Sequence, residues 1–163
     1  MLILSIDSGI EKNGYAIFEK KGNKQKYIKS GLITTSKYDS TEKRILEIYK
    51  AFNNLFKKFK IKIIIIEQLF FFKNQKSVIK VSQAQGVILL IAAQQKVDIV
   101  FLTPLQIKQS ITGYGQADKK SIQKMLNIIL KLKKPLKQDD EADAIACGLA
   151  YCYQNTKLIS SNS

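Results

Sequence analysis

The stretch Ile61-Lys62-Ile63-Ile64-Ile65-Ile66, closed by Glu67, constrains the fold more than any other part of the chain. β-Branched side chains favour extended backbone. A run of them without polar alternation reads as a strand covered on both faces. Such a strand belongs inside an α/β sheet with helices above and below. The opening Leu2-Ile3-Leu4-Ser5-Ile6-Asp7 reads as a second apolar strand. Turn signals at Ser8-Gly9 and Gly22-Asn23 separate further strands around Gly14–Lys20 and Lys26–Thr34. From Thr41 the period becomes helical, with Ile45, Ile48, Phe52, Leu55 and Phe59 on one face and Lys43, Arg44, Lys50, Lys57 and Lys58 on the other. Ser40 or Thr41 can cap this helix. Later helices are expected at about Gln75–Lys96, after the N-cap Thr103 with Pro104 in its first turn, from Asp118 to about Lys131, and from about Gln138 to Tyr153. A strand at Val97–Leu102 precedes Thr103, and Pro135 interrupts the chain between the last two helices. The order predicts an α/β protein with a five-stranded mixed sheet flanked by helices, made of a three-strand antiparallel meander plus two parallel strands reached by helical crossovers. Residues 1–154 are expected to form a single domain and 155–163 a flexible tail.

Composition narrows the chemistry. A chain of 163 residues buries roughly two-thirds of its unfolded surface, enough for a core without disulfides. No apolar run approaches the ~20 residues of a membrane helix. The N-terminus lacks the basic segment and cleavage site of a signal peptide, so a cytoplasmic protein is expected. Cys147 and Cys152 have no metal-like spacing and read as buried free thiols. The chain has no histidine, which excludes Ser-His-Asp and Cys-His machinery, His-based zinc sites and a histidine base. Net charge is +14, from 27 basic and 13 acidic residues. That excess favours a polyanionic partner such as nucleic acid. All the basic residues except Arg44 are lysine, so drift toward an AT-rich genome is the competing explanation of the charge.

With 13 acids, each can be judged by its surroundings. Glu11, Glu19, Asp39, Glu42, Glu47, Asp98, Asp118, Asp139 and Glu141 lie in polar or turn contexts, where solvation or helix capping accounts for them. Asp7 and Glu67 each end an apolar strand, where a carboxylate is poorly solvated unless a cation pairs with it. The carboxyl ends of strands are also where α/β sheets place ligands. Asp140 and Asp143 are three apart at the start of the last helix and share a face. The small residues that follow, Ala142, Ala144, Ala146, Gly148 and Ala150, allow that helix to approach the sheet closely. Helix capping could account for Asp140 but hardly for Asp143. A salt bridge to a buried lysine could account for Asp7 and Glu67. Convergence of all four in a basic chain points instead to divalent metal, and oxygen-only ligands suit Mg²⁺ or Mn²⁺. Two such ions about 4 Å apart can activate water and stabilise the leaving oxygen of a phosphodiester.

These residues resemble a known family, the RuvC-type Holliday junction resolvases (crossover junction endodeoxyribonucleases). The likeness rests on Ile6-Asp7-Ser8-Gly9 followed by Gly14-Tyr15, on Ile66-Glu67-Gln68-Leu69-Phe70 and on Ser82-Gln83-Ala84-Gln85-Gly86-Val87. It continues through Pro104-Leu105-Gln106-Ile107-Lys108-Gln109, Gly113-Tyr114-Gly115-Gln116-Ala117-Asp118-Lys119 and Asp140-Glu141-Ala142-Asp143-Ala144-Ile145-Ala146. The ordered set spans nearly the whole chain. Family members usually have proline where this chain has Ser8, and some have histidine at the position of Asp140. The resemblance implies a ribonuclease H-like fold and a homodimer that nicks a four-way DNA junction symmetrically, leaving 5′-phosphate and 3′-hydroxyl ends. It implies Asp7, Glu67, Asp140 and Asp143 as catalytic ligands of two Mg²⁺ ions, with Mn²⁺ as a substitute. It further implies Phe70 stacked on an unpaired base, Lys108 and Lys119 on phosphates near the scissile bond, Lys120 as a further DNA contact, and a branch-migration motor as a candidate partner. The long helix at Gln75–Lys96 suits the dimer, because its apolar segment Val87–Ala93 calls for burial against both the sheet and a second subunit. Other readings are an actin-like kinase half, a ribonuclease H-like nuclease for RNA or hybrid, and a non-catalytic junction binder. ATP turnover, substrate preference and loss of cleavage, respectively, would mark them.

Overall fold

The isoleucine run forms the strand its composition demands, and the rest of the chain is arranged to cover it. In this computed structural model, residues 1–68, 75–131, 136 and 138–160 are described, the side chains of 75–77 and 155–160 excepted. The strands are β1 (Leu2–Asp7), β2 (Lys12–Lys21), β3 (Lys24–Thr34), β4 (Ile61–Glu67) and β5 (Asp98–Leu102). The helices are α1 (Thr41–Lys58), α2 (Gln75–Gln95), α3 (Pro104–Thr112), α4 (Lys119–Leu130) and α5 (Asp139–Ser160). The sheet order is β3-β2-β1-β4-β5. β1, β2 and β3 pair antiparallel, while β4 runs parallel to β1 and β5 parallel to β4. This is the expected meander with two parallel strands added.

Alternation along the strands sorts side chains into two cores. Ile3, Phe18, Ile63 and Ile65 meet Ile107, Ile111, Ala142, Ile145 and Leu149 on the face covered by α3, α4 and α5. Leu4, Ile6, Ile17, Ile64 and Ile66 meet Ile48, Phe52, Ile88 and Ile91 of α1 and α2 on the other. Continuing the alternation puts Asp7 and Glu67 on the α5 face, together with Ser5. Ser5 Oγ donates to the Ala144 carbonyl at 2.7 Å, a buried bond from strand to helix backbone. α5 comes this close because its contact surface is nearly side-chain-free. A methyl group at Gly148 would lie 2.5 Å from Ser5 Oγ and 2.6 Å from the Phe18 ring.

Caps set most of the helix starts. Thr103 and Gln106 form a capping box with Pro104 at the first turn of α3. Asp118 caps α4 by accepting from Ser121 N. Ser40 is the N-cap of α1, although its side chain makes no capping bond. Arg44 departs from the helical-wheel expectation that grouped it with the solvated lysines. It is buried, its Nε donates to Thr35 Oγ1 at 2.9 Å, and its Nη2 lies 3.7 Å from Glu11. A guanidinium reaches two acceptors from one stem, and that reach draws it inward where a lysine would stay in water. Cys147 and Cys152 are buried and free. Among the described residues, no helix is long and apolar enough to cross a membrane.

The tight seam between α5 and the sheet predicts that Gly148→Ala destabilises the protein by about 1–3 kcal/mol, as overpacking does. Urea denaturation should show it as a lowered midpoint. An unchanged midpoint would mean that the seam relaxes freely.

Candidate active site

Asp7 and Glu67 project from the carboxyl ends of adjacent parallel strands, on the face toward α5. The strand partner of Asp7 is Gly14. Glycine is required there by close approach, because a methyl group at Gly14 would overlap the backbone carbonyl of Asp140. The first turn of α5, carrying Asp139, Asp140 and Glu141, therefore rests directly on the strand beside Asp7. The sequence reading expected this convergence from the small residues of α5. Gly14 supplies its second half.

Glu67 and Asp143 line a cleft of about 300 Å³ with Lys108, Lys119, Pro104, Ile107, Ile122 and Ala146. Lys119 Nζ donates to Asp143 at 3.0 Å and pairs with Asp139 at 3.3 Å. Lys108 is half-buried in the same wall, and Lys120 is exposed on α4 one residue beyond Lys119. Phe70 lies outside the described residues. Asp139 and Glu141, expected to be solvated or capping, lie in the first turn of α5 with Asp139 exposed, and they also tie α5 down on two sides. Asp139 Oδ1 accepts from Gln123 Nε2 at 3.0 Å, and Glu141 accepts from Ser30 Oγ, which lies 2.7 Å from Tyr27 OH. No local signal in the sequence could have shown these ties, because their partners are distant in the chain.

Electrostatics mark the acids as an unsatisfied group. Burial pushes the Asp7 carboxyl from 3.8 up to about 7, helped by repulsion from Asp143, Glu67 and Asp140. Burial and Asp143 raise Glu67. Asp143 is also raised by burial, against the pull of Lys119. Burial works against the Lys119 ammonium, but its bonds to Asp143 and Asp139 leave it raised. Among the described residues neither Asp7 nor Glu67 has a salt-bridge partner, so the buried-lysine explanation of these two acids is not realised. The donor set therefore fits a hard divalent cation: carboxylate oxygens only, partly desolvated and mutually repelling. Among the described residues no three acidic or thiol side chains yet converge closely enough to hold an ion. Lys119 engages Asp143 through Oδ2.

A family model for crossover junction endodeoxyribonuclease RuvC matches residues 3–152. The chain belongs to the RuvC family. The crossover junction endodeoxyribonuclease RuvC of Petrotoga mobilis is 44% identical over 163 residues, covering 100% of this chain and 99% of that protein. The RuvC of Thermosipho melanesiensis is 45% identical over 152 residues, covering 93% and 96%. Among solved structures, Thermus thermophilus RuvC in complex with a Holliday junction substrate superposes with a TM-score of 0.89 at 26% identity, covering 96% of each chain. A yeast mitochondrial Holliday junction resolvase shares the fold at 15% identity, with a TM-score of 0.68 over 97% of this chain and 82% of that one. The RuvC relatives identify the architecture as ribonuclease H-like.

Two outcomes follow. Gly14→Ala should push the Asp140 turn off the sheet and lower phosphodiester cleavage by about 10²-fold, the scale of a 1 Å misplacement. Cleavage assays on the folded variant test this, and unchanged rates would detach Gly14 from the site. The second concerns pH. A carboxyl whose folded pKa lies above its unfolded value binds its proton more tightly when folded, so it destabilises the protein as pH rises between the two. For Asp7 that window is 3.8 to about 7, and its full effect is up to ~4 kcal/mol before solvent screening. In EDTA, Asp7→Asn should therefore gain melting temperature over the wild type as pH is raised from 5 to 8. An advantage that shrinks with pH would contradict the raised carboxyl.

Proposed function

We propose that this chain is a divalent-cation-dependent endonuclease that resolves four-way (Holliday) DNA junctions during recombination and repair. One observation carries the reading: in a chain of net charge +14, Glu67 and Asp143 line a lysine-walled cleft, with Asp7 and Asp140 within electrostatic reach of them. Family membership supports the substrate, as does the Thermus thermophilus relative solved with a Holliday junction. The proposed nuclease unit spans 1–154.

Asp7, Glu67, Asp140 and Asp143 would hold the cation, with two Mg²⁺ per site as the expected complement and Mn²⁺ as a substitute. When bound, such ions supply Lewis acidity toward the scissile phosphodiester and neutralise charge that develops on its oxygens. Lys108 and Lys119 stand in the cleft wall, where a backbone phosphate would gain two ammonium partners. Lys120 extends the basic wall along α4 to a neighbouring phosphate. Phe70 would stack on an unpaired base at the crossover. The apolar wall from Pro104, Ile107, Ile122 and Ala146 limits water around the carboxylates and strengthens every charge interaction there.

Symmetric cutting calls for two sites related by a two-fold axis, and α2 supplies a surface for it. Val87, Ile88, Ile91 and Ala92 are buried against the sheet, while Leu89 is 43%, Leu90 53% and Ile79 61% exposed on the opposite side. A homodimer would cover that face isologously. A branch-migration motor as partner, and a cytoplasmic location beside the chromosome, follow from the same reading.

The test is incubation of the full chain with a synthetic four-way junction and a matched linear duplex, in Mg²⁺ and in EDTA. Paired nicks with 5′-phosphate ends, confined to the junction and to Mg²⁺, are expected. Asp7→Asn should abolish them while junction binding survives, and binding should weaken steeply with salt. Equal cutting of duplex or of RNA–DNA hybrid would overturn the substrate. Tight junction binding without cleavage in Mg²⁺ or Mn²⁺ would overturn the activity.

A further inference from the structure

Lys119 and Gln123 are four residues apart on α4 and share a face, as Asp139 and Asp143 do on α5. The two faces meet. The Lys119 ammonium sits 3.0 Å from Asp143 Oδ2 and 3.3 Å from Asp139 Oδ2, and Gln123 Nε2 donates to the other Asp139 oxygen at 3.0 Å. Of the two acids, Asp143 lines the cleft with Glu67, whereas Asp139 does not. A carboxylate oxygen that accepts from an ammonium cannot at the same time ligate a divalent cation without placing two positive charges in contact. While Lys119 holds Oδ2, Asp143 has only Oδ1 free for a cation, so it can offer both oxygens and its full charge only when Lys119 leaves it.

We infer that Asp139 is a positioning residue, a second anchorage that holds Lys119 beside the cleft while Asp143 turns to a divalent cation. This rests on the cation site proposed above. The anchorage is preset: Gln123 fixes the Asp139 carboxylate from the same helix that carries Lys119, so the ammonium moves from a shared to a single partner by rotating its own stem. Without Asp139, the ammonium's remaining acidic partner is Asp143, and it competes with the cation for it. With Asp139, Lys119 stays charged and close to the phosphate position after the cation arrives.

Calorimetric titration of MnCl₂ into the metal-free full-length protein tests this without relying on turnover. The variants are Asp139→Asn, Lys119→Met, both together, and Asp7→Asn as the control that removes a ligand. Both test positions have exposed side chains, at 62% for Asp139 and 48% for Lys119, so folding should persist. Asp139→Asn should weaken Mn²⁺ binding by about 2–5-fold, the size of a partly exposed ion pair. Lys119→Met should tighten it, and in that background Asp139→Asn should lose most of its effect. The conservative Asp139→Glu should restore affinity in part. An equal weakening in both backgrounds would overturn the inference, since it would report only the long-range charge of Asp139. Wild-type binding that survives Asp7→Asn unchanged would overturn the cation site and the inference with it.

Discussion

The structure depends on how closely α5 lies against β1 and β2. Helix-on-sheet packing normally leaves a full layer of side chains between the two backbones, and here that layer is thinned at two points. Gly148 lets the helix meet Ser5 and Phe18, and Gly14 lets its first turn rest on the strand beside Asp7. The Ser5 hydroxyl bonded to the Ala144 carbonyl crosses the seam in the protein interior, where an unpaired hydroxyl would cost about 1–3 kcal/mol. Everything at the site follows from this approach. Strand alternation aims Asp7 and Glu67 at α5, and the thin seam brings Asp140 and Asp143 within electrostatic reach of them.

That arrangement works against the stability of the metal-free fold. A basic protein has ample lysine to neutralise four carboxylates, yet among the described residues only Asp143 of the four is paired with one. Burial, with repulsion from neighbouring acids added, raises Asp7 to about 7 and Glu67 above its ordinary value. Unpaired charge of one sign, concentrated where solvent is excluded, is the usual signature of a site built for a counter-charge that arrives later. The absence of histidine fits the same economy. With no imidazole in the chain, proton handling falls to carboxylates, lysines and water, a setting in which a divalent cation would lower the barrier to phosphodiester hydrolysis near neutral pH.

Much of this was legible in the sequence because it is periodic or local. The isoleucine run, the strand-end acids, the Thr103 and Asp118 caps and the small residues of α5 each state their role within a few neighbours. The four acids were singled out by misplaced polarity, and the structure draws them to one face of one sheet. What stayed illegible depends on partners far away in the chain. Arg44 sat on the lysine side of a helical wheel, and only the position of Thr35 and Glu11 explains its burial. Asp139 and Glu141 looked like helix-capping acids, and their partners Lys119, Gln123 and Ser30 come from other elements. Gly14 reads in the sequence only as the start of a strand, and the carbonyl of Asp140 lying over it is what makes glycine necessary there. Of the segment 87–93, expected to be buried against both the sheet and a second subunit, Val87, Ile88, Ile91 and Ala92 are buried within the chain. Leu89 and Leu90 remain exposed, and they are the surface that the proposed homodimer would cover.

The two faces of the sheet divide the work of holding Asp7. On the α5 side, Gly14 and the Asp140 turn leave no room for the strand end to move. On the α1 side, Thr35 accepts from Arg44, donates its hydroxyl to the Ile10 carbonyl at 2.5 Å and its amide to the Glu11 carbonyl at 3.0 Å. The turn that follows Asp7 is therefore fixed by the end of β3 and by α1, while Gly9 N donates to Asn13 Oδ1 across it. Family members usually have a rigid proline at the position of Ser8. Here the turn is held by the hydrogen bonds of Thr35, which in turn accepts from Arg44, the only arginine in a chain otherwise basic through lysine. A lysine at 44 would present one ammonium where the guanidinium presents a fork, and could not hold Thr35 and face Glu11 together. The lysines supply mobile charge for a polyanion, and the single guanidinium supplies geometry for the carboxylate that the polyanion must meet.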